Sequence, residues 1–351
     1  MSDQKIRLTF RGGGWVLAVL AIVLLAMIAW AIAPAVLRVA NQAPGDGTTI
    51  ESYEFDLTNM QLAQETVVPA MRHRDMSPVL TNPNILNAEE IAEKNRNKRK
   101  QYLVSNDLVV GIELGGEVRC YPLHVLNVHE VVNDTLGGVP IVVYWNWPSG
   151  HVAVFERTIQ TTPVNFGVSG ISGNGSMLLY ADTKTDEGEQ LFSPLQGTSI
   201  SGNEVQLNPI THKVTVWKDW VSQHPDTTTI APDETYKKRY RKGDPRTYFL
   251  NDTIYFPVSP MPEDGVNPKT LVLAIATTEG YDVYNIAELH SLADENGEIQ
   301  ITVNAEPCTI TVGDGPLWAT VSDGSGNTIS SERCLWFAWY ANHPDTTIIS
   351  R

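Results

Sequence analysis

The chain has 351 residues, enough for one or two cores of ordinary size, and its 42% hydrophobic and 19% charged residues exclude a disordered chain or a coiled coil. Forty acidic against 25 basic residues leave a formal charge of −15, the wrong sign for affinity gained by phosphate neutralisation, so no nucleic-acid partner is expected. Three cysteines, none in a CxxC pair, exclude a disulfide-framed mini-domain.

In chain order, a stub of residues 1–13 precedes GWVLAVLAIVLLAMIAWAIAPAVL over 14–37, 24 residues without a charge. Roughly 20 apolar residues cross the hydrocarbon core as a helix. Lys5, Arg7 and Arg11 precede the run and only Asp3 opposes them, so the stub is expected in the cytoplasm and the body outside it. A cleaved signal peptide has an apolar region of about 7–15 residues. Here Pro34 also follows the Ala31-Ile32-Ala33 site, so an uncleaved signal anchor is expected. Residues 1–38 carry four basic groups against one acid, which leaves −18 on the rest and holds it off anionic lipid. Residues 38–69 read as a tether.

Further along, LVVGIEL and EVRCY flank Gly115-Gly116 and predict a β-hairpin. Pro122 stands where a helix would start, and LHVLNVHEVV carries that helix on to Asn133. Strand-like runs follow over 139–145, 152–159, 164–169 and 177–181, punctuated by Gly, Ser, Asn and Thr-Pro. A short helix carries Trp217, Trp220 and His224 at i, i+3 and i+7, and Pro225 ends it.

That closing segment recurs. Trp217 to Thr228 and Trp336 to Thr347 are identical at seven of twelve positions, and LVVGIELGGEVRCYPLHVL (108–126) aligns without gaps with LVLAIATTEGYDVYNIAEL (271–289). The offsets, 119 and 163 residues, make the later copy shorter by 44. The expected architecture is an α+β, β-rich body of two unequal, internally duplicated lobes, residues 70–235 and 269–351, joined by a linker over 236–268. His224 and His343 are read as folding elements. In that reading the Trp pair packs on the sheet and His-Pro-Asp-Thr forms the exit turn, with Asp as a local cap.

The string Tyr121-Pro122-Leu123…Asn127-Val128-His129-Glu130-Val131-Val132-Asn133-Asp134 resembles the signature of the DUF3179 family, whose function is uncharacterised. Similar blocks are Asn82-Pro83, Ala88-Glu89-Glu90, Phe166-Gly167-Val168-Ser169-Gly170, Phe192-Ser193-Pro194-Leu195-Gln196-Gly197 and Phe256-Pro257-Val258, and the resemblance spans roughly residues 70–351. It implies a candidate site at the His-Glu block. Many relatives carry Cys-Pro-Leu-Cys-Gly shortly afterwards, which implies thiol redox or soft-metal chemistry. This chain reads Trp145-Asn146-Trp147-Pro148-Ser149-Gly150 there, and Asn146 and Ser149 supply no thiolate.

The remaining candidates are His129, Glu130 and Asp134, as acid–base groups or hard ligands for a divalent metal. On a continuous helix Glu130 and Asp134 would share a face, with His129 about 100° away. In the aligned second copy these positions are Leu292, Ala293 and Gly297. Asn146, Ser149, His151 and Ser169 are the candidate cofactor-binding residues. His151 also reads as a surface loop residue and His124 as a half-exposed helix histidine. The glycine-rich stretch 166–176 reads as a pocket rim, with Ser169 outside any Gly-x-Ser-x-Gly elbow. Basic runs at 94–100 and 237–246 are solvated surface or contacts for anionic lipid or a partner, and Tyr236, Tyr240 and Tyr248 are expected to pack on the lobes. Cys308 and Cys334 are left either bridged or as buried thiols.

Three functions fit. The first is a membrane-anchored ligand- or partner-binding accessory module with a polar pocket in the first lobe. The second is a redox- or metal-dependent enzyme that uses the trio without thiols. The third is a structural partner of another envelope protein.

Overall fold

The computed structural model describes residues 14–40, 43–96, 101–182, 188–240, 245–313, 315 and 317–350. The chain divides into two compact units, Met1–Pro44 and Gly45–Arg351. In the first, the described residues form helix α1 (Gly14–Ala40). Its stretch Gly14–Ala33 is long and apolar enough to cross a membrane, and Leu17, Leu20, Leu25 and Trp30 bury themselves in no protein core. Such a helix suits a single-pass anchor or a signal sequence.

The second unit is α+β and strand-rich. It opens with β1 (Val67–Pro69), β2 (Leu80–Thr81), β3 (Ile85–Leu86) and α2 (Ala88–Asn95). A capping box starts α2, with the Asn87 side chain accepting from Glu90 N–H and the Glu90 carboxylate accepting from Asn87 N–H. The predicted hairpin forms as β4 (Leu108–Leu114) and β5 (Glu117–Pro122), followed by α3 (Leu123–His129). A meander of β6 (Val131–Leu136), β7 (Val139–Asn146) and β8 (His151–Glu156) comes next, then a ribbon of β9 (Thr158–Ile159) and β10 (Thr162–Pro163). After β11 (Phe166–Gly173), β12 (Ser176–Asp182), β13 (Glu189–Ser193) and β14 (Thr198–Ser199), the chain runs through β15 (Lys213–Val216), α4 (Trp217–Gln223) and β16 (Thr228–Ile230). Two short helices, α5 (Lys237–Tyr240) and α6 (Arg246–Phe249), lead to β17 (Leu271–Thr277), β18 (Gly280–Asn285) and α7 (Ile286–Leu292). The last elements are β19 (Glu298–Val303), β20 (Glu306–Val312), β21 (Ala319–Asp323), β22 (Ser331–Leu335) and α8 (Trp336–Asn342).

A seven-stranded sheet, ordered β18-β17-β22-β8-β7-β6-β2, runs through the unit. Strand β7 reads VPIVVYWN, almost continuously apolar, because the sheet is covered on both faces there. Ile141, Val143 and Trp145 enter one core with Val110, Tyr121 and Leu126, closed by the sheet β15-β4-β5-β16-β3 and by α3. Val142 and Tyr144 enter a second core with Phe166, Val168 and Phe192, closed by the sheet β1-β11-β12-β13-β14. The alternation of β19, whose Ile299, Ile301 and Val303 are buried, builds a third core with β20, β21 and β17. Strands β22 and β8 join through the single registered pair Arg333–Val152.

Several pairings recur at the offsets found in the sequence. Leu108 faces Val216 in β4–β15 and Leu271 faces Leu335 in β17–β22. Val110 faces Tyr121 and Leu273 faces Tyr284. Thr229 pairs in parallel with Cys120, and Ile348 with Val283. In both helices the exit turn is held by threonine rather than by the expected Asp. Trp220 Nε1–H donates to Thr227 Oγ1 at 2.9 Å and Trp339 Nε1–H to Thr346 Oγ1 at 3.2 Å, with each histidine ring against its tryptophan.

Gly111 makes room for the first of these tryptophans, since a Cβ there would stand 2.4 Å from the Trp220 ring. Gly111→Ala is therefore expected to destabilise the body by about 1–3 kcal/mol, measured by urea unfolding, despite adding only a methyl group.

The structure corrects several expectations. The stretch from Gly45 is packed rather than a free tether, with Tyr53 and Phe55 buried beside Ile171 and Leu191 and β1 paired to β11. Helix α3 stops at His129, and Val131 already belongs to a strand. The glycine-rich stretch is strand β11, buried along its whole length, not a rim. His151 is buried in β8 instead of exposed in a loop. Cys120, Cys308 and Cys334 are all buried free thiols, so Cys308 and Cys334 are not bridged. Of the basic runs, residues 97–100 and 241–244 lie outside the described residues.

Candidate functional site

Three segments meet at one end of the second core: the α3–β6 junction, the β7–β8 turn and the β11–β12 turn. Glu130 forms the first. Its N–H closes α3 on Leu126 O, and its φ of 58° with ψ of −37° takes the backbone through a region L residues seldom occupy. Its carbonyl then accepts Trp145 N–H, which keys the start of β6 to β7.

Glu130 is 4% exposed. Ser77 Oγ donates to Oε1 at 2.6 Å, while Oε2 is enclosed and receives no hydrogen bond of ordinary geometry, the Asn146 side chain being the polar group near the carboxyl. Burial pushes this carboxyl up to about 7, with the Ser77 and Asn146 side chains pulling the other way. Beside it, Ser149 Oγ donates to Asn146 Oδ1 at 2.8 Å and lies 3.4 Å from Ser176 Oγ. Ser176 Oγ stands 3.0 Å from Tyr144 OH, which donates to Met177 O at 2.8 Å. Cys334 Sγ contacts Ser149 O at 3.4 Å, and burial pushes its thiol well up, so it is no ready nucleophile. The result is a buried cluster of one carboxyl, one amide and several hydroxyls.

The segment from Tyr248 to Ser259 lies over this cluster. Tyr248 OH donates to Pro148 O at 2.8 Å, and the rings of Tyr248 and Tyr255 pack edge-on to Trp147 in the β7–β8 turn. Asn174, in the β11–β12 turn, exchanges two hydrogen bonds with the Ser259 backbone at 2.9 and 3.0 Å. Tyr248 thus packs on the body as its position in the basic run suggested.

The predicted trio does not converge. His129 leaves the cluster: its Nδ1 bonds Pro78 O, which can only accept, so Nδ1 carries the proton and Nε2 receives Tyr240 O–H at 2.7 Å. Burial pushes this imidazole down, which keeps it neutral. Asp134, on β6, turns to the opposite face from Asn133. It accepts from Arg119 Nη1 at 2.7 Å and from Tyr121 OH at 2.8 Å. The helix face that would have grouped Glu130 with Asp134 is absent because Glu130 is the helix cap. Among the described residues no group of three or more His, Cys, Asp and Glu side chains is placed to hold a metal ion.

Of the other candidates, Asn146 and Ser149 join Glu130. Ser169 donates to Leu178 O at 2.7 Å within the sheet, and His151 bonds Glu332 instead. His124 is half-buried, edge-on to Tyr102. Ser77, Tyr144 and Ser176 were missed. Ser77 carries no local signal, and Tyr144 reads as core because its hydroxyl is invisible to an apolar pattern.

No curated protein and no solved structure matches the chain. The family model described as "Protein of unknown function (DUF3179)" matches residues 74–346, most of the chain, and the protein is a member of that family.

Proposed function

We propose that the protein is a membrane-anchored binding module, its body outside the cytoplasm, which takes a small polar ligand at Glu130, Asn146 and Ser149. The observation that carries this reading is the Glu130 carboxyl, enclosed on a strained turn with Oε2 bare. A buried acceptor without a donor costs about 1–3 kcal/mol. A ligand that completes the hydrogen bonding at Oε2, donating to the carboxylate or accepting from the carboxylic acid, recovers that loss. Entry requires the Tyr248–Ser259 segment to lift from the β7–β8 turn. His129, Asp134, His151 and Ser169 have no role in this site, since each is engaged elsewhere. The cations at Lys5, Arg7 and Arg11 support the orientation.

The recurring pairings support a second element of the reading, that residues 269–351 are a shortened copy of the 70–235 unit, with 236–268 between them. The copy carries Ala293 in extended conformation where the first unit has the strained Glu130, so the polar equipment belongs to the first unit alone.

The test is mass spectrometry, with elemental analysis, of what denaturation releases from the full-length protein purified in neutral detergent. One compound should accompany the wild type in near-equal amount and be missing from Glu130→Gln and Asn146→Ala. A wild type that releases nothing beyond these variants would sink the proposal.

A further inference from the structure

Most large apolar side chains of the body are buried, but the segment over the Glu130 cluster turns several of its own outward. Leu250, just past α6, is 86% exposed, more than any other large apolar side chain described, and its neighbours Phe249 and Tyr255 are exposed as well. These residues form one surface. The Tyr248 ring touches the rings of Phe249 and Tyr255, at centroid distances of 5.5 and 4.7 Å, and Leu250 follows Phe249 in the chain. Single exposed leucines are ordinary, whereas contiguous apolar side chains mark a surface that meets a partner or a membrane.

The position of the segment in the body favours a lipid bilayer as what it meets. Only residues 41–44 separate α1 from Gly45, a reach of at most about 18 Å. Gly45 and Gly170 pack against the same Tyr53 ring carbon and the same His73 backbone. Asn174, four residues beyond Gly170 and so about 13 Å along β11, holds Ser259. The apolar surface is therefore moored near the point where the body joins its apolar helix. Charge agrees locally, against the acidic balance of the whole. In α5, Lys237 pairs with Glu234, but the exposed Lys238, and Arg239 over the Tyr236 ring, meet no carboxylate among the described residues. Tyr240, which ends α5, and Trp147, on which Tyr248 and Tyr255 pack, border the same core. Lys269 Nζ lies over the Tyr248 ring and is offset by Asp252. Leucine and aromatic tips beside lysine and arginine suit the boundary of a membrane that carries anionic lipid.

We propose that Phe249, Leu250 and Tyr255 dip into the headgroup layer of the bilayer that α1 spans. This contact presupposes the membrane-anchored reading given above. It gives the segment two working faces: Tyr248 closes on the β7–β8 turn within, and Leu250 meets lipid without.

The test places a fluorescent thiol label on Leu250→Cys in the full-length protein. Cys120, Cys308 and Cys334 are buried, so the new exposed thiol is labelled selectively, and replacing so open a side chain leaves the fold intact. The protein is reconstituted into nanodiscs of phosphatidylcholine and phosphatidylglycerol, with and without phosphatidylcholine spin-labelled at headgroup depth. The expected result is a loss of emission of about twofold or more at position 250, against almost none for Leu292→Cys, an exposed leucine of α7 outside the segment. A label on Leu25→Cys in α1 reads the anchor by itself, with the spin label moved along the acyl chain. Quenching at 25, but no more at 250 than at 292, overturns the contact and leaves the anchor standing. No quenching at 25 overturns both. A blue shift at 250 without quenching assigns the surface to a protein contact and likewise overturns the proposal.

Discussion

Asp134→Ala should lower the unfolding free energy of the body by about 3–5 kcal/mol. The substitution removes the only carboxylate within 3 Å of Arg119 among the described residues, and the Arg119 side chain is 9% exposed. The guanidinium would stay between β5 and β6 with Thr135 O and the distant, half-exposed Glu117 as its remaining oxygen partners, besides the Thr228 hydroxyl. Tyr121 OH, in the first core, would lose its acceptor as well. Most of the loss is the cost of an uncompensated buried charge, so Asp134→Asn, which keeps an acceptor for both donors, should lose clearly less. Urea unfolding of the three proteins checks this. Equal stability of wild type and Asp134→Ala would show that the pair is structurally idle.

Glu130→Gln should change the pH dependence of stability in a defined direction. The carboxyl lies at about 7 in the folded protein against its ordinary 4.5. Below 4.5 both folded and unfolded chains hold the proton, and the group's contribution is fully present. Between the two values only the folded chain holds it, so stability falls as pH rises. Above about 7 both are ionised and the loss is complete. That interval of 2.5, at 1.36 kcal/mol for each pH unit, corresponds to about 3 kcal/mol. Glu130→Gln cannot ionise, so it should match the wild type near pH 4 and exceed it by up to about 3 kcal/mol at pH 8. The buried neutral histidines act in the opposite sense, losing stability as pH falls, but they are common to both proteins and cancel in the difference. A difference that does not vary with pH would mean the carboxyl is hydrated, and the reading of Glu130 as an enclosed, bare acceptor would fall with it.

Much of the architecture was legible because it rests on local patterns. Gly115-Gly116 marked the first hairpin, the apolar runs marked β7 and β8, and the Trp-His spacing marked α4 and α8. What escaped depended on contacts between distant segments. The run from Leu123 to Asn133 has a helical composition throughout, yet Glu130 turns left-handed because its carbonyl is claimed by Trp145, 15 residues on. That one bond moves Asp134 from a helix face to a strand and separates it from Glu130. Asn146 and Ser149 were reached through the family pattern, whereas Ser77 arrives from 53 residues upstream, a distance no local rule spans. His151 looked like a loop residue after Ser149-Gly150, because nothing nearby indicates that Glu332, 181 residues away, supplies its partner.

The joint between β22 and β8 carries the fewest registered pairs in the seven-stranded sheet. One registered pair carries the long sheet across it, reinforced by Leu335 N–H on Ser149 O and Arg333 on Gly150 O. Were that joint to part, each side would present a strand edge already shaped for the other, with Glu332 and His151 as matching keys. With one ladder pair at the seam, the continuity of the long sheet there depends on the turn and side-chain contacts around Ser149, Gly150 and Arg333 rather than on a full strand pairing.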